Sequence, residues 1–393
     1  MGSNLRIIVT GQMAQYPLGG VTWFYLQYVL GLARLGHEVF YLEDSGQWPY
    51  QPLSQALPPK AASIAEACQF NLDYLRGVLS RFGLGDRWAY CFPKHDTWFG
   101  VAQSEREKVI ASADLLVNVS GTLGRPEHYR QVRRMAYVDT DPVFTQVKLA
   151  KGEEHFRTLV DRHDVHFSYG EHSSPMVPDT GHRWRPTRAP VVLSEWTTGR
   201  PHRNVFTTIM NWTSHNSVTH DGQTFGQKDM EFKAYIDLPT LVRPTEMELA
   251  VGPGHGLRTP YDLLRYKGWC VVDPGEVCPD LDSFRAYTES SMAEWGVAKH
   301  GYVLGQSGWF SERSARYLAA GRPVVVQDTG FSHVLPVGVG LVPFRNIDEA
   351  VAGIRAVEGD YARHSRAARE IADEYFDSDK VLTRLVEEAM NAD

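Results

Sequence analysis

The sequence predicts an α/β protein built as two doubly wound domains facing each other across a cleft. Three observations carry that expectation. Short β-branched runs alternate with helical patterns along the chain, as in parallel sheets covered by helices. With 393 residues the chain exceeds what a single core accommodates. Near the middle, residues 174–203 carry Pro175, Pro178, Pro186, Pro190 and Pro201 among polar residues, the composition of a domain boundary.

In the first half, strands are expected near residues 6–10, 39–42, 115–118, 136–139 and 166–169. In the second half they are expected near 205–210, 248–251, 270–273, 302–304, 324–327 and 341–343. Ile347, Val351 and Ile354 fit one amphipathic helical face, and Ala367, Ile371 and Tyr375 fit another. After Asp377 and Ser378 a last helix presents Val381, Leu382, Leu385 and Val386, an apolar face that needs a surface to bury it.

Composition narrows the function. At 43% hydrophobic and 22% charged residues the chain is an ordinary soluble globular protein. Its formal net charge of -7 argues against a general nucleic-acid binder, which needs a basic surface to displace counterions. The Arg183, Arg185 and Arg188 cluster is left for local anion contacts. No apolar run reaches spanning length, and the opening residues read as a first strand and not a leader, so a cytoplasmic location is expected. Cys68, Cys91, Cys270 and Cys278 form no CxxC pair and the 15 histidines form no HExxH spacing, so neither a zinc cage nor a disulfide framework is expected.

The most informative stretch is SGWFSERSARYLAAGRPVVVQDTGF, residues 307–331. It reads as a loop, a small-residue helix, a Gly-x-Pro break and a buried strand. Ser311 is an N-cap, and the orphan N–H groups of the helix it opens, with the helix dipole behind them, favour an anion. Arg313, Ser314 and Arg316 follow on that helix, the arginines adding positive charge. Ala315, Leu318 and Ala319 form its inward stripe, Gly321 suits its C-terminal turn, and Pro323 stops it.

Other segments offer further groups. Asn211, Trp212, Thr213 and Ser214 follow a strand and supply amide and hydroxyl donors, with a plain turn as the alternative. Lys228 is a cation in a Gly-containing loop, and Lys299 and His300 are weaker candidates. Gly19 and Gly20 follow the first strand, where backbone can approach a ligand or where glycine serves packing. Asp139 and Asp141 form a D-x-D pattern, a spacing that can hold a divalent cation. Because they lie far in sequence from the anion seat, no metal is expected. A general-base role at the cleft, or a turn cap, fits them better. Glu171 and His172 are a second acid/base pair. Trp23 and Trp309 are the tryptophans best placed to offer a stacking face to a ligand, with packing as the alternative.

The layout resembles the GT-B class of glycosyltransferases, two Rossmann-like domains facing across a cleft. The segments that carry the resemblance are the first strand with its Gly19-Gly20 turn, LARLGHEVFYLE, GWCVVD and, above all, YLAAGRPVVVQDTGF. The resemblance implies an acceptor domain over residues 1–188, a sugar-nucleotide domain over 189–377, and a helix over 378–393 crossing back onto the first domain. It also implies that the anion seat takes the diphosphate of a donor such as a UDP- or dTDP-sugar, and it makes His37 structural. Many members place Glu five residues before the Gly of the Gly-x-Pro break, where this chain has Arg316, and some place a second Glu where it has Gly308. The resemblance therefore names neither the nucleotide nor the stereochemical outcome.

The expectation is a metal-independent glycosyltransferase using a nucleoside-diphosphate sugar, with no other cofactor. Ser311, Arg313, Ser314, Arg316, Trp212, Thr213, Lys228, Gly19 and Gly20 would bind the donor, and Asp139, Asp141, Glu171 or His172 would activate a small-molecule or glycan acceptor. Two alternatives share the architecture. One is a non-hydrolysing sugar-nucleotide epimerase, the other a catalytically silent binding or scaffold protein.

Overall fold

The computed structural model describes residues 4–50 and 64–392. Its first half runs β1 (Arg6–Thr10), α1 (Gly19–Arg34), β2 (Glu38–Glu43), α2 (Ile64–Arg81), β3 (Trp88–Phe92), β4 (Thr97–Gly100), α3 (Gln103–Ser112), β5 (Leu115–Val119), β6 (Arg134–Asp139), α4 (Phe144–Ala150), α5 (Glu154–Asp161), β7 (Val165–Ser168) and β8 (Trp184–Pro186). These eight strands form one sheet in the order β4-β3-β2-β1-β5-β6-β7-β8. All neighbours are parallel except β4, which returns antiparallel on β3.

The second half runs β9 (Val205–Asn211), the hairpin β10 (Val218–His220) and β11 (Gln223–Phe225), α6 (Lys228–Phe232), α7 (Leu238–Leu241), β12 (Glu246–Gly252), α8 (Tyr261–Tyr266), β13 (Cys270–Val272), α9 (Pro274–Val277) and α10 (Leu281–Ser290). It continues through β14 (Ala293–Gly296), α11 (His300–Gly305), α12 (Glu312–Ala319), β15 (Val324–Gln327), β16 (Leu341–Phe344), α13 (Ile347–Gly359), α14 (Tyr361–Tyr375) and α15 (Ser378–Met390). Six of these strands make an all-parallel sheet, β13-β12-β9-β14-β15-β16. Strand order reverses at β1/β5 in the first sheet and at β9/β14 in the second, and such reversals open a crevice beyond the carboxyl ends of the strands.

Parallel sheets bury both faces, so their strands are apolar throughout: Ile7, Ile8 and Val9 of β1 and Val324 and Val325 of β15 are fully buried. His37 accepts from the Leu5 amide at 3.3 Å and ties the α1–β2 turn to β1. The two halves share a continuous core that runs from Ile7 and Trp23 to Ala315, Tyr317 and Leu382. α1 is its hub. The Trp23 indole donates to the Leu281 carbonyl of α10 at 2.8 Å, and α15 lies against α1 farther along, where a side chain at Gly31 would sit 2.4 Å from Leu382. The last helix thus buries its apolar face on the first half. No described helix is long and apolar enough to cross a membrane.

Several expectations fail locally. Residues 302–304 belong to helix α11, and the strand of that region is β14, whose AEWG sequence carries a glutamate on a fully buried strand. β3, β4, β8, β10 and β11 were not expected. β8 sits inside the proline-rich stretch, and its Pro186 is tolerated because β8 is an edge strand. Cys270 is exposed, whereas Cys68, Cys91 and Cys278 are buried.

Candidate functional site

A small pocket lies at the carboxyl ends of β14 and β15, lined by Lys228, Gly296, Ser311, Arg313, Ser314, Gln327 and Thr329 among others. Ser311 is the N-cap of α12, its Oγ accepting from the Arg313 amide at 3.3 Å. The break after α12 brings the chain back into β15, with Gly321 at φ 67°, a left-handed conformation that suits glycine. Ser311, Arg313 and Ser314 of the first turn of α12 line the pocket, which sets the helix N-terminus beside it. The Ser314 hydroxyl is buried there without a hydrogen-bond partner, a cost that a bound acceptor atom would relieve.

Lys228, at the start of α6, completes the seat. Burial, with the Arg313 and Lys299 charges adding to it, pushes its ammonium down to about 7. Arg313 is not a free cation: it pairs with the fully buried Glu294 of β14 and donates to the Ile209 carbonyl at 2.7 Å. A pocket holding Lys228, Arg313 and a helix N-terminus against one buried carboxylate favours an anion.

Other expected donor ligands are engaged elsewhere. Arg316 turns away from the pocket, donates to the Gly20 carbonyl of α1 at 3.1 Å and lies over the Phe284 ring. Trp212 is buried against Phe232 in the second core. The Thr213 hydroxyl donates to the His255 carbonyl at 2.6 Å and accepts the His255 amide at 2.9 Å, which fixes the loop after β9. Gly19 and Gly20 face α10 and not a ligand: a side chain at Gly19 would come within 2.1 Å of the Asp280 carbonyl oxygen. Their spacing signalled close helix packing, which sequence alone does not separate from ligand approach.

Of the acid/base candidates, Asp139 is excluded by saturation. Its Oδ1 accepts from the Asp141 amide at 3.0 Å and Thr145 Oγ1 at 2.7 Å, and its Oδ2 from Gln146 at 3.0 Å and Ser168 at 2.9 Å. Four donors leave no lone pair for an acceptor proton. Asp141 joins the two halves: Lys299 lies 2.8 Å from Oδ1, His215 3.6 Å from Oδ2, and the Tyr302 hydroxyl also donates to it. Burial would raise its pKa, but Lys299 and the donors around it hold the carboxyl well below the usual range. The D-x-D carboxylates thus serve different partners and do not converge on one point. Glu171 pairs with Arg188. His172 remains. Its amide donates to Ser307 at 2.8 Å, its ring stacks on His333 at 4.5 Å, and neither ring nitrogen is hydrogen-bonded among the described residues. It abuts Gly308, whose amide bonds Thr329 of the pocket wall. Trp23 is core, whereas Trp309 is half-buried in the pocket wall, where it stacks on Tyr302 at 4.0 Å and donates to the Thr140 carbonyl.

Sequence reasoning missed Glu294, because its strand was not recognised, and gave Lys299 little weight because its partner Asp141 lies 158 residues away. It also missed a second, larger cavity at the β1/β5 crevice, lined by Gln12, Ser45, Gln47, Asp96, Thr122 and Arg125 among others.

No family model matches the chain, and no curated protein matches its sequence. Solved structures do match it along nearly the whole length. An α-glucosyltransferase in complex with UDP aligns at 13% identity with a TM-score of 0.59, over 99% of this chain and 100% of its own. HepE from Anabaena, in complex with UDP and glucose, aligns at 13% identity and a TM-score of 0.57, over 98% and 99% of the two chains. A glycosyltransferase involved in avilamycin A biosynthesis aligns at 14% identity and 0.53, over 98% and 97%. At these identities the likeness establishes the fold: two Rossmann-like units in the GT-B arrangement.

Proposed function

We propose that this protein is a metal-independent glycosyltransferase that moves a sugar, of the hexose type, from a nucleoside diphosphate to a small-molecule or glycan acceptor. The observation that carries the proposal is the convergence of the α12 N-terminus, Lys228, Arg313 and the unpartnered buried Ser314 hydroxyl at the crevice of the second sheet. Support comes also from the neighbours that hold UDP in the same fold, and the formal charge of -7 favours such acceptors over nucleic acid.

The second half holds the donor and the first half the acceptor. As the bond from the anomeric carbon to the diphosphate oxygen breaks, negative charge grows on the leaving diphosphate. The α12 N–H groups, protonated Lys228 and the Ser314 hydroxyl stabilise that charge. His172, the candidate base with free ring nitrogens, takes the proton from the acceptor nucleophile.

The test is calorimetric titration with UDP, dTDP, GDP and ADP, with and without EDTA, followed by turnover of the matching sugar nucleotide. Selective, EDTA-insensitive binding is expected. Failure of all four to bind removes the donor seat and leaves a silent scaffold of this fold. Release of an altered sugar nucleotide without acceptor would assign an epimerase instead.

A further inference from the structure

The cavity at the β1/β5 crevice encloses about 550 Å³ and belongs to none of the donor groups described above. It sits where the first sheet reverses its strand order, beyond the carboxyl ends of β1, β2 and β5. Its wall is polar: Gln12 and Gln47 amides, Ser45, Ser120 and Thr122 hydroxyls, and the Asp96–Arg125 pair. A buried network holds that wall in place. Asn118 Oδ1 accepts from Thr10 Oγ1 at 3.0 Å and the Leu123 amide at 3.2 Å, Thr10 and Thr122 hydroxyls are 2.8 Å apart, and Asn118 Nδ2 meets His163 Nε2 at 3.0 Å. Burial pushes His163 down to about 4, so its ring stays neutral, with Nδ1–H directed at the Leu159 carbonyl and Nε2 accepting from Asn118.

The charges in the wall are unequal. Arg125 is divided between Asp96 at 2.9 Å and the buried Asp44 at 3.2 Å, so two carboxylates share one guanidinium, and the exposed His155 is the other basic side chain of the wall. Asp96 keeps an outer face: its side chain is 59% exposed.

We infer that this cavity binds a polyhydroxylated acceptor, a sugar or cyclitol that carries no negative charge, with an amino substituent favoured by Asp96. The amide, hydroxyl and carboxylate groups of the wall can meet a ring of hydroxyls, the Gln47 amide and the outer face of Asp96 as the exposed ones, and the surplus carboxylate repels a uronate or phosphate. The inference rests on the glycosyltransferase proposal for its role and names the acceptor class of that reaction.

The experiment uses saturation-transfer NMR on the full chain, with D-glucosamine, D-glucose and D-glucuronic acid as probes at neutral pH, and UDP titration as an independent readout. Glucosamine is expected to bind best and glucuronic acid worst. Asp96→Asn should cut the glucosamine preference by about threefold, the scale of an exposed charge pair. Gln47→Ala should weaken glucose by about fivefold, the scale of one neutral hydrogen bond. Both positions are exposed, so unchanged UDP titration of the variants checks that they fold. Absence of binding by all three sugars, glucuronic acid binding as well as glucosamine, or sugar binding indifferent to both variants would overturn the inference. Sugar binding without UDP binding would instead remove the donor seat and leave this cavity standing.

Discussion

Arg313 donates to the buried Glu294 carboxylate from Nε while its Nη1 reaches the Ile209 carbonyl at 2.7 Å. A side chain of α12 is thereby tied to β14 and β9, the two strands at which the second sheet reverses its order. The pair fixes the seat as much as it charges it.

Arg313→Ala is therefore expected to unfold more easily before it reports on nucleotide binding. Removing one partner of a buried pair strands the other charge, which costs about 3 to 5 kcal/mol. Glu294 is fully buried, so the full range applies. Arg313→Met with Glu294→Leu should recover most of that loss in urea unfolding, since neither charge is then orphaned. A single variant as stable as the parent would show that the pair does not brace the crevice.

How much of this was legible follows from the range of the interactions. The α12 segment was readable because its cap, stripe, Gly321 and Pro323 are local signals within one short stretch. The roles of Asp139, Asp141 and Arg316 were not, because each is decided by a partner's geometry: the donors around Asp139, Lys299 for Asp141, and the Gly20 carbonyl for Arg316. β14 escaped notice because Ala-Glu-Trp-Gly has neither alternation nor a β-branched run, and only Arg313, 19 residues on, makes its glutamate tolerable.

Lys228 gives nucleotide binding a pH signature. Its folded-state pKa, about 7, lies below the ordinary lysine value, so between those two the unfolded chain binds more protons than the folded one. Stability should consequently rise with pH across that window, and below about 7 the charged, buried ammonium weighs fully against folding. A diphosphate reverses the preference by stabilising the ammonium. Binding above pH 7 should take up a proton, visible as a calorimetric enthalpy that changes with the buffer's ionisation enthalpy. Lys228→Met should abolish that dependence and weaken the nucleotide by about 1.5 to 3 kcal/mol, the worth of a charge-assisted hydrogen bond. Unaltered buffer dependence in the variant would place the proton elsewhere.

Asp141 should behave as a latch between the halves. Its folded pKa is depressed, so it contributes stability above the unfolded carboxyl value and loses that contribution as pH falls through the lower folded value. Asp141→Asn removes the partner of Lys299. Because the Asp141 side chain is 37% exposed, the expected loss is about 1 to 2 kcal/mol, between a surface and a buried pair. Limited proteolysis should find the variant cut faster between the two sheets; an unchanged rate would mean that the shared core alone keeps them together.

Gly19 and Gly20 separate packing from ligand approach. A methyl at Gly19 would meet the Asp280 carbonyl oxygen at 2.1 Å, a backbone atom held by the α10 N-terminus, whereas at Gly20 it would meet the edge of the Phe284 ring at 3.1 Å. Gly19→Ala must push α10 off α1 and is expected to cost about 1 to 3 kcal/mol, the range for overpacking, measured by thermal or urea unfolding. Gly20→Ala asks for only a small ring shift and should cost less than about 1 kcal/mol. UDP affinity should stay within about twofold in both folded variants, because neither glycine faces the donor pocket. The opposite pattern, stable variants that no longer bind UDP, would return the pair to the ligand and take α1 out of the packing account given for it.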